Sequence, residues 1–264
     1  MTARESNLAG RIAIVTGASR GIGEAIATML AERGATVALV ARSAADLTAA
    51  AARIGMEPGR SVATFPCDLR DLTAIKALVA AIAAQFGRID ILVNNAGATK
   101  HGTLLQRDDD DWLDAYAAKI HNFVRMTRTC WPYLKASRGH LINIGGVLAH
   151  MPNANAIIGS TLAASVVSLT KALADFGRTE GITVNGINPG LIATGRFLQH
   201  MEELGRAHEI SSDEEEAQLK ERLGIARLGQ PQDVADVVDF LLSGRANYLQ
   251  GAIIDVDGGM TKSI

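Results

Sequence analysis

Short apolar runs rich in β-branched residues recur along the chain at Ile12 to Thr16, Thr36 to Ala41, Val62 to Phe65, Ile89 to Asn94, Leu141 to Ile144, Thr183 to Ile187 and Ala252 to Val256. They lack a steady apolar–polar alternation, so they predict strands of a sheet covered on both faces. Between the first two runs, Ile22, Ile26, Met29 and Leu30 recur at helical spacing and Gly34 stands where that helix would stop. Helical patterns follow over residues 43–53, 71–86, 110–135, 157–178 and 231–242. Strand-helix alternation implies parallel crossovers, and the pattern predicts a doubly wound α/β sandwich. The stretch from Arg196 to Arg222 breaks the rhythm with Glu202, Glu203, His208, Glu209 and the run Asp213 to Glu216. Such charge runs are read as solvated helix faces, with a mobile cover over a ligand as the alternative.

Composition narrows the classes. A chain of 264 residues that is 48% hydrophobic and 20% charged can bury a full core, and no Pro/Ser-rich linker divides it, so one domain spanning residues 1–264 is expected. The formal charge of -2 supplies no basic field for nucleic acid or an anionic membrane. Cys67 and Cys130 are too few for a disulfide framework. The start Met1 to Ser6 lacks a signal-peptide core, no window reaches the roughly 18 uninterrupted apolar residues of a membrane span, and a cytoplasmic location is expected. The histidines lack the paired spacing of a metal site. The acidic run Asp108 to Asp111 before Trp112 reads as a helix N-terminus favoured by the macrodipole.

The first strand runs into Thr16-Gly17-Ala18-Ser19-Arg20-Gly21-Ile22-Gly23. Glycines at 17, 21 and 23 permit a tight turn, close backbone approach to a diphosphate and close helix-sheet packing, while the helix start presents unpaired N–H groups to negative charge. A glycine trio alone is weak evidence; its place between a strand and a helix predicts nucleotide binding. At the end of the second strand, where an NAD site usually places an acid, the chain has Val40-Ala41-Arg42-Ser43. Arg42, with Arg20 approaching from the glycine turn, can pair with a 2′-phosphate, which favours NADP(H), although both could be ordinary solvent-facing arginines.

These residues, with Asn94-Asn95-Ala96-Gly97 ending the fourth strand, resemble the short-chain dehydrogenase/reductase family. The resemblance extends from about Gly10 to Gly259, through Cys67-Asp68-Leu69, the loop Asn188 to Thr194, Arg227 to Ala235 and Asp255 to Gly259. It implies a Rossmann-type parallel sheet of seven strands, a substrate-covering role for 196–222, and a homotetramer or homodimer. It assigns Asp68 and Leu69 to the adenine side, Asn95, Ala96 and Gly97 to the cofactor crevice, and Pro189, Gly190, Ile192 and Thr194 to the nicotinamide side.

The family's catalytic set is missing. The resemblance puts the tyrosine position at Gly159, the lysine four residues on at Ala163, the serine at Gly146 and the helix asparagine at Lys119. The tyrosines at 116, 133 and 248 are followed four residues later by Ile120, Ser137 and Ala252, so no Tyr-x-x-x-Lys pair exists in the chain. Reduction of a carbonyl still needs a proton for the developing alkoxide. Lys119 is the first candidate, because a desolvated lysine has its pKa lowered toward working range, though an ion-paired surface lysine is the plainer reading. His150, four residues past Gly146, is the second, though a loop histidine is usually polar surface. Lys100, His101 and Tyr116 are weaker candidates, and Ser160 and Thr161 could donate hydrogen bonds only. Three explanations compete: an NADP(H)-dependent oxidoreductase with another proton donor, an inactive NADP(H)-binding homologue with a sensing or assembly role, and an enzyme such as an alkene reductase that does not need the tyrosine. The retained nicotinamide-side loop favours an oxidoreductase acting on a small, largely apolar carbonyl or alcohol. Leu104, Leu105, Leu148, Met151, Ile157, Phe197 and Met201 are the expected apolar pocket contacts.

Overall fold

The computed structural model describes residues 7–97 and 99–262; the Met1 to Ser6 stretch read above for a signal sequence lies outside them. The strands are β1 (Ile12–Thr16), β2 (Thr36–Ala41), β3 (Ser61–Pro66), β4 (Ile91–Asn94), β5 (His140–Ile144), β6 (Thr183–Pro189) and β7 (Ile253–Val256). The helices are α1 (Gly21–Glu32), α2 (Ala44–Ile54), α3 (Leu72–Phe86), α4 (Asp109–Tyr116), α5 (Asn122–Ser137), α6 (Ile157–Glu180), α7 (Gly195–His208), α8 (Ser212–Leu223) and α9 (Pro231–Leu242). All strand pairs are parallel, and the seven-stranded sheet has the order β3-β2-β1-β4-β5-β6-β7.

β1 is buried along its whole length, and its period of two feeds both layers. Ala13 and Val15 pack with Ile26 and Leu30 of α1, Leu47 of α2 and Val234 and Val238 of α9. Ile12 and Ile14 face the other way, onto Ile75 and Val79 of α3 and Met126, Cys130 and Leu134 of α5. α6 covers β6 on this second side; it is long and apolar enough by composition to cross a membrane, but here Leu162, Val166, Thr170 and Ala174 are buried against the fold.

One region differs from the expected pattern, and another takes the helical form its charge runs suggested. The single helix expected over 110–135 is divided by a π turn, Ala117–His121, between α4 and α5. The charged stretch 196–222 forms α7 and α8, each capped by its own sequence: Thr194 Oγ1 accepts from Phe197 N, and Ser211 and Glu214 form a reciprocal capping box. His208 and the buried Glu215 hold the two helices together through a 2.7 Å contact.

Because β1 lies between β2 and β4, the chain leaves the sheet in opposite directions on its two sides, and a crevice opens at the carboxyl ends of β1 and β4. Side chains brace this point. Thr16 Oγ1 accepts from the Asn95 and Ala96 amides at 2.9 and 3.0 Å and donates to Val93 O, while Asn95 Nδ2 donates to Thr16 O at 2.9 Å.

Candidate functional site

A cleft of about 790 Å³ lies over the crevice, with the glycine turn as its floor. Gly17 has φ +68° and Gly21 φ +59°, values that favour glycine, and a Cβ on Gly23 would collide with the Gly17 carbonyl oxygen. The absence of side chains therefore sets the backbone path. Arg20, at the N-cap of α1, is extended and provides no side-chain acceptor, so the first-turn amides are left for an anion. Neither the Arg20 nor the Arg42 guanidinium has a hydrogen bond or ion pair among the described residues, and both residues line the cleft. The end of β2 carries no acid, since Ser43 after Arg42 instead caps α2 by accepting from Asp46 N. A diphosphate and a phosphorylated ribose fit these donors.

Of the residues expected to hold a dinucleotide, Gly17, Ser19, Arg20, Gly21, Ile22, Gly23, Arg42, Asp68, Leu69, Asn95, Ala96, Gly97 and Thr194 border the cleft. Pro189, Gly190 and Ile192 do not. Gly190 N donates to Val256 O, Ile192 is buried and bridges Gly229, and these bonds shape the loop that delivers Thr194. Asp68 is engaged by Arg70 at 2.8 Å; that bond first, and Arg42 to a lesser extent, holds its carboxyl below the usual range. Asn122 and Arg196 also line the cleft and were not singled out from sequence. Arg196 stands two residues beyond Thr194 in the first turn of α7, and that spacing was the available signal.

A second cavity of about 610 Å³ shares Gly97 and Arg196 with the first. Gly146, Gly159 and Ala163, the expected serine, tyrosine and lysine positions, border it beside Gly145, so these three gather without a hydroxyl or amine, and the fourth position is Lys119. The space is not collapsed. A Cβ at Gly146 would meet nothing within 4 Å, and one at Gly159 would touch Leu148 and Thr99 at 3.3 Å. Gly145 has a different constraint, because a Cβ there would strike Asn188 Oδ1.

Lys119 enters this cavity from the π turn. Its Nζ donates to Ile144 O at 2.8 Å and lies 4.9 Å from the Phe123 ring centroid. No carboxylate bonds to it among the described residues, and burial first, then Arg196, brings its pKa down to about 8. Its alkyl chain crosses Gly97, where a Cβ would overlap Lys119 Cδ.

The other candidates lie in different settings. His150 is outside the cavity lining, and its Nδ1 is 3.0 Å from Asp255 Oδ2. Asp255 accepts from Asn188 Nδ2, and Asn188 Oδ1 accepts from Gly146 N, so His150 anchors the Gly146 backbone rather than facing the reaction space. Lys100 borders the cavity with its ammonium bonded to Asp111, which raises its pKa. Tyr116 packs with Trp112 against Ile158 and Leu162. Ser160 donates to Ala156 O and Thr161 to Ile157 O, so both hydroxyl protons are spent on the α6 backbone. His101 does line the cavity, stacked on His200 with centroids 4.9 Å apart; burial, His200 and Arg196 lower its pKa.

The apolar pocket expected from the loops does not assemble. Only Leu148 of that set lines the cavity. Leu104 and Leu105 are exposed; Met151 and Phe197 pack around Ile225 and Leu228; Ile157 packs with Trp112; and Met201 is buried. α7 presents Arg196, Gln199, His200 and Glu203 instead, with Phe197 and Met201 packed beneath it.

Comparison with known proteins matches this architecture over nearly its whole length. A family model described as enoyl-(acyl carrier protein) reductase matches residues 17–261. The chain is 37% identical over 255 residues to the 3-oxoacyl-[acyl-carrier-protein] reductase of Vibrio harveyi, covering 96% of this chain and 98% of that one. It is 35% identical over the same length to the Escherichia coli enzyme of that name. Among solved structures, L-sorbose reductase from Gluconobacter frateurii, complexed with NADPH and L-sorbose, superposes with TM-score 0.92 at 32% identity, covering 98% of this chain and 100% of that one. An NADPH-bound short-chain oxidoreductase from Pseudomonas aeruginosa, described as containing an atypical catalytic center, superposes with TM-score 0.89 at 30% identity over 98% of this chain and 100% of that one. With its glycine turn, sheet order and full-length matches, the chain belongs to the short-chain dehydrogenase/reductase family.

Proposed function

We propose that this protein is an NADP(H)-dependent oxidoreductase of small carbonyl compounds or their alcohols, with Lys119 handling the proton. The observation that carries the proposal is an ammonium in the second cavity, bonded to Ile144 O and without a carboxylate partner among the described residues, whose alkyl chain crosses Gly97, a residue both cavities share. The cofactor assignment is supported by the open α1 N-terminus, the unpaired Arg20 and Arg42, and the NADPH bound to the structural relatives. In this reading Gly17, Gly21 and Gly23 bring backbone against the diphosphate, Arg42 and Arg20 hold the 2′-phosphate, and Asn95 to Gly97 with Thr194 border the nicotinamide end.

Bound NADPH supplies the hydride. Lys119 supplies the proton: one N–H is committed to Ile144 O, which aims the ammonium, and two N–H groups remain for a substrate oxygen. With a pKa of about 8 it can give up a proton near neutrality and recover one from solvent. Thr99, beside the Gly159 position, offers a further hydroxyl in the cavity. The His150–Asp255–Asn188 chain holds the Gly146 backbone in place. A homo-oligomeric, cytoplasmic enzyme completes the reading.

The test follows hydride transfer from C4-labelled NADPH to a panel of ketones, enals and quinones. Label is expected in at least one reduced product, with Lys119→Met lowering kcat by about 10²–10⁴-fold and abolishing the pH limb near 8. His150→Ala is expected to keep that limb. NADPH binding without label transfer across the panel would instead favour a sensing or assembly protein, and transfer confined to the enals would favour alkene reduction.

A further inference from the structure

The second cavity is short of negative charge. Among the described residues the Lys119 ammonium is hydrogen-bonded only to a backbone carbonyl, and the Arg196 guanidinium has no hydrogen bond or ion pair. His101 and His200 lie ring on ring beside them. Within the described lining the one carboxylate is Glu203, which accepts from Gln199 Nε2 at 3.2 Å; the ammonium of Lys100 is turned to Asp111, outside the lining. The positive groups disfavour one another: Arg196 adds to burial in lowering Lys119, and Arg196 and His200 add to burial in lowering His101. Burial first and then Arg20 lowers Arg196 itself. Confined potential of one sign concentrates the opposite charge.

We propose that the substrate is an anion: a small oxo acid whose carboxylate is bound by Arg196 and the His101–His200 pair while its carbonyl oxygen meets Lys119. This rests on the oxidoreductase reading above. Guanidinium binds a carboxylate through two parallel N–H bonds, which fixes the orientation of the remote carbonyl as well as adding affinity. Because Arg196 also borders the cofactor cleft, a phosphate of the dinucleotide is the other anion it could hold, and the experiment separates the two.

Levulinate and its uncharged methyl ester are titrated calorimetrically into the full chain, with and without bound NADPH, and each is assayed for NADPH oxidation. The acid is expected to bind the loaded protein at least about tenfold tighter than the ester. Glu203→Gln is expected to tighten the acid several-fold, and Arg196→Gln to erase its advantage. At pH 8, where Lys119 is partly deprotonated, acid binding is expected to take up protons, read from the heats in buffers of different ionisation enthalpy. An acid that binds no better than its ester, including binding of neither, overturns the proposal. So does an Arg196→Gln protein that weakens NADPH yet keeps the acid-over-ester ratio, since its guanidinium then serves the cofactor. Acid preference without NADPH oxidation supports the anion site while removing the oxidoreductase reading; oxidation driven by the ester alone supports that reading and overturns the anion site.

Discussion

Lys119 shows how much a single position can carry when its neighbours are small. Gly97, Gly145, Gly146, Gly159 and Ala163 leave room beside one ammonium, while the protein packed around the rest of it desolvates it more than it supports it. The cost can be read in stability. Its folded pKa of about 8 lies below the ordinary lysine value of about 10.4, so between these values the unfolded chain binds more protons and stability rises with pH. The melting temperature of the native protein is expected to gain from this group over that window. Lys119→Met should lack the gain and be the more stable protein below pH 8, in parallel with its loss of turnover. Arg42→Ala is expected to weaken NADPH about tenfold or more while leaving NADH unchanged, because the lost bonds are charge-assisted and specific to a phosphate; paired binding isotherms check it.

At the scale of elements, the strands and most helices were legible because burial on two faces leaves an uninterrupted apolar record, as in Ile12 to Thr16 and Leu141 to Ile144. β4 begins at Ile91 rather than Ile89 because the intervening Asp90 turns its carboxylate back to Ile12 N, Arg11 and Arg88. The glycine turn and the place of Arg42 beside the cleft were equally readable, since both follow from the local backbone at the ends of β1 and β2. The π turn was not, because an i to i+5 bond leaves no periodic mark in five residues of mixed polarity. Nor was the lining contributed by α7, whose helical period is plain but whose direction of approach is set by tertiary packing. That is why Phe197 and Met201 were expected in the pocket while Arg196 and His200 occupy it. α7 ends at Glu209, a non-glycine residue at φ +59°, and Glu209→Gly is expected to raise stability by about 1 kcal/mol by removing left-handed strain. Denaturant unfolding checks the change.

For the whole molecule, acid sensitivity centres on Asp90, which is fully buried and joins β1, β4 and the end of α3 through Arg11, Arg88 and the Ile12 amide. Burial alone would raise this carboxyl, but Arg88, the Ile12 amide and Arg11 together bring it below its ordinary value. Its contribution is therefore present above the unfolded carboxylate pKa of about 3.9 and is lost as the pH falls through the lower folded value. Asp90→Asn is expected to cost about 2 kcal/mol at neutral pH, with the gap to the native protein narrowing in acid, as followed by thermal melts across the range.

The widened winding at Ala117–His121 has a consequence of its own. On one side of it Ala115 is seated against Ile158 and Leu162, and on the other Met126 and Cys130 are seated in the sheet layer. Regular winding through the interval would put those two seats out of phase. The widened turn absorbs one surplus residue, worth about 100° of regular winding, so both flanks stay seated. Excising Ala118 would leave both seats filled while drawing the turn that carries Lys119 back to regular winding; every reactive group would survive, and the ammonium would lose its aim.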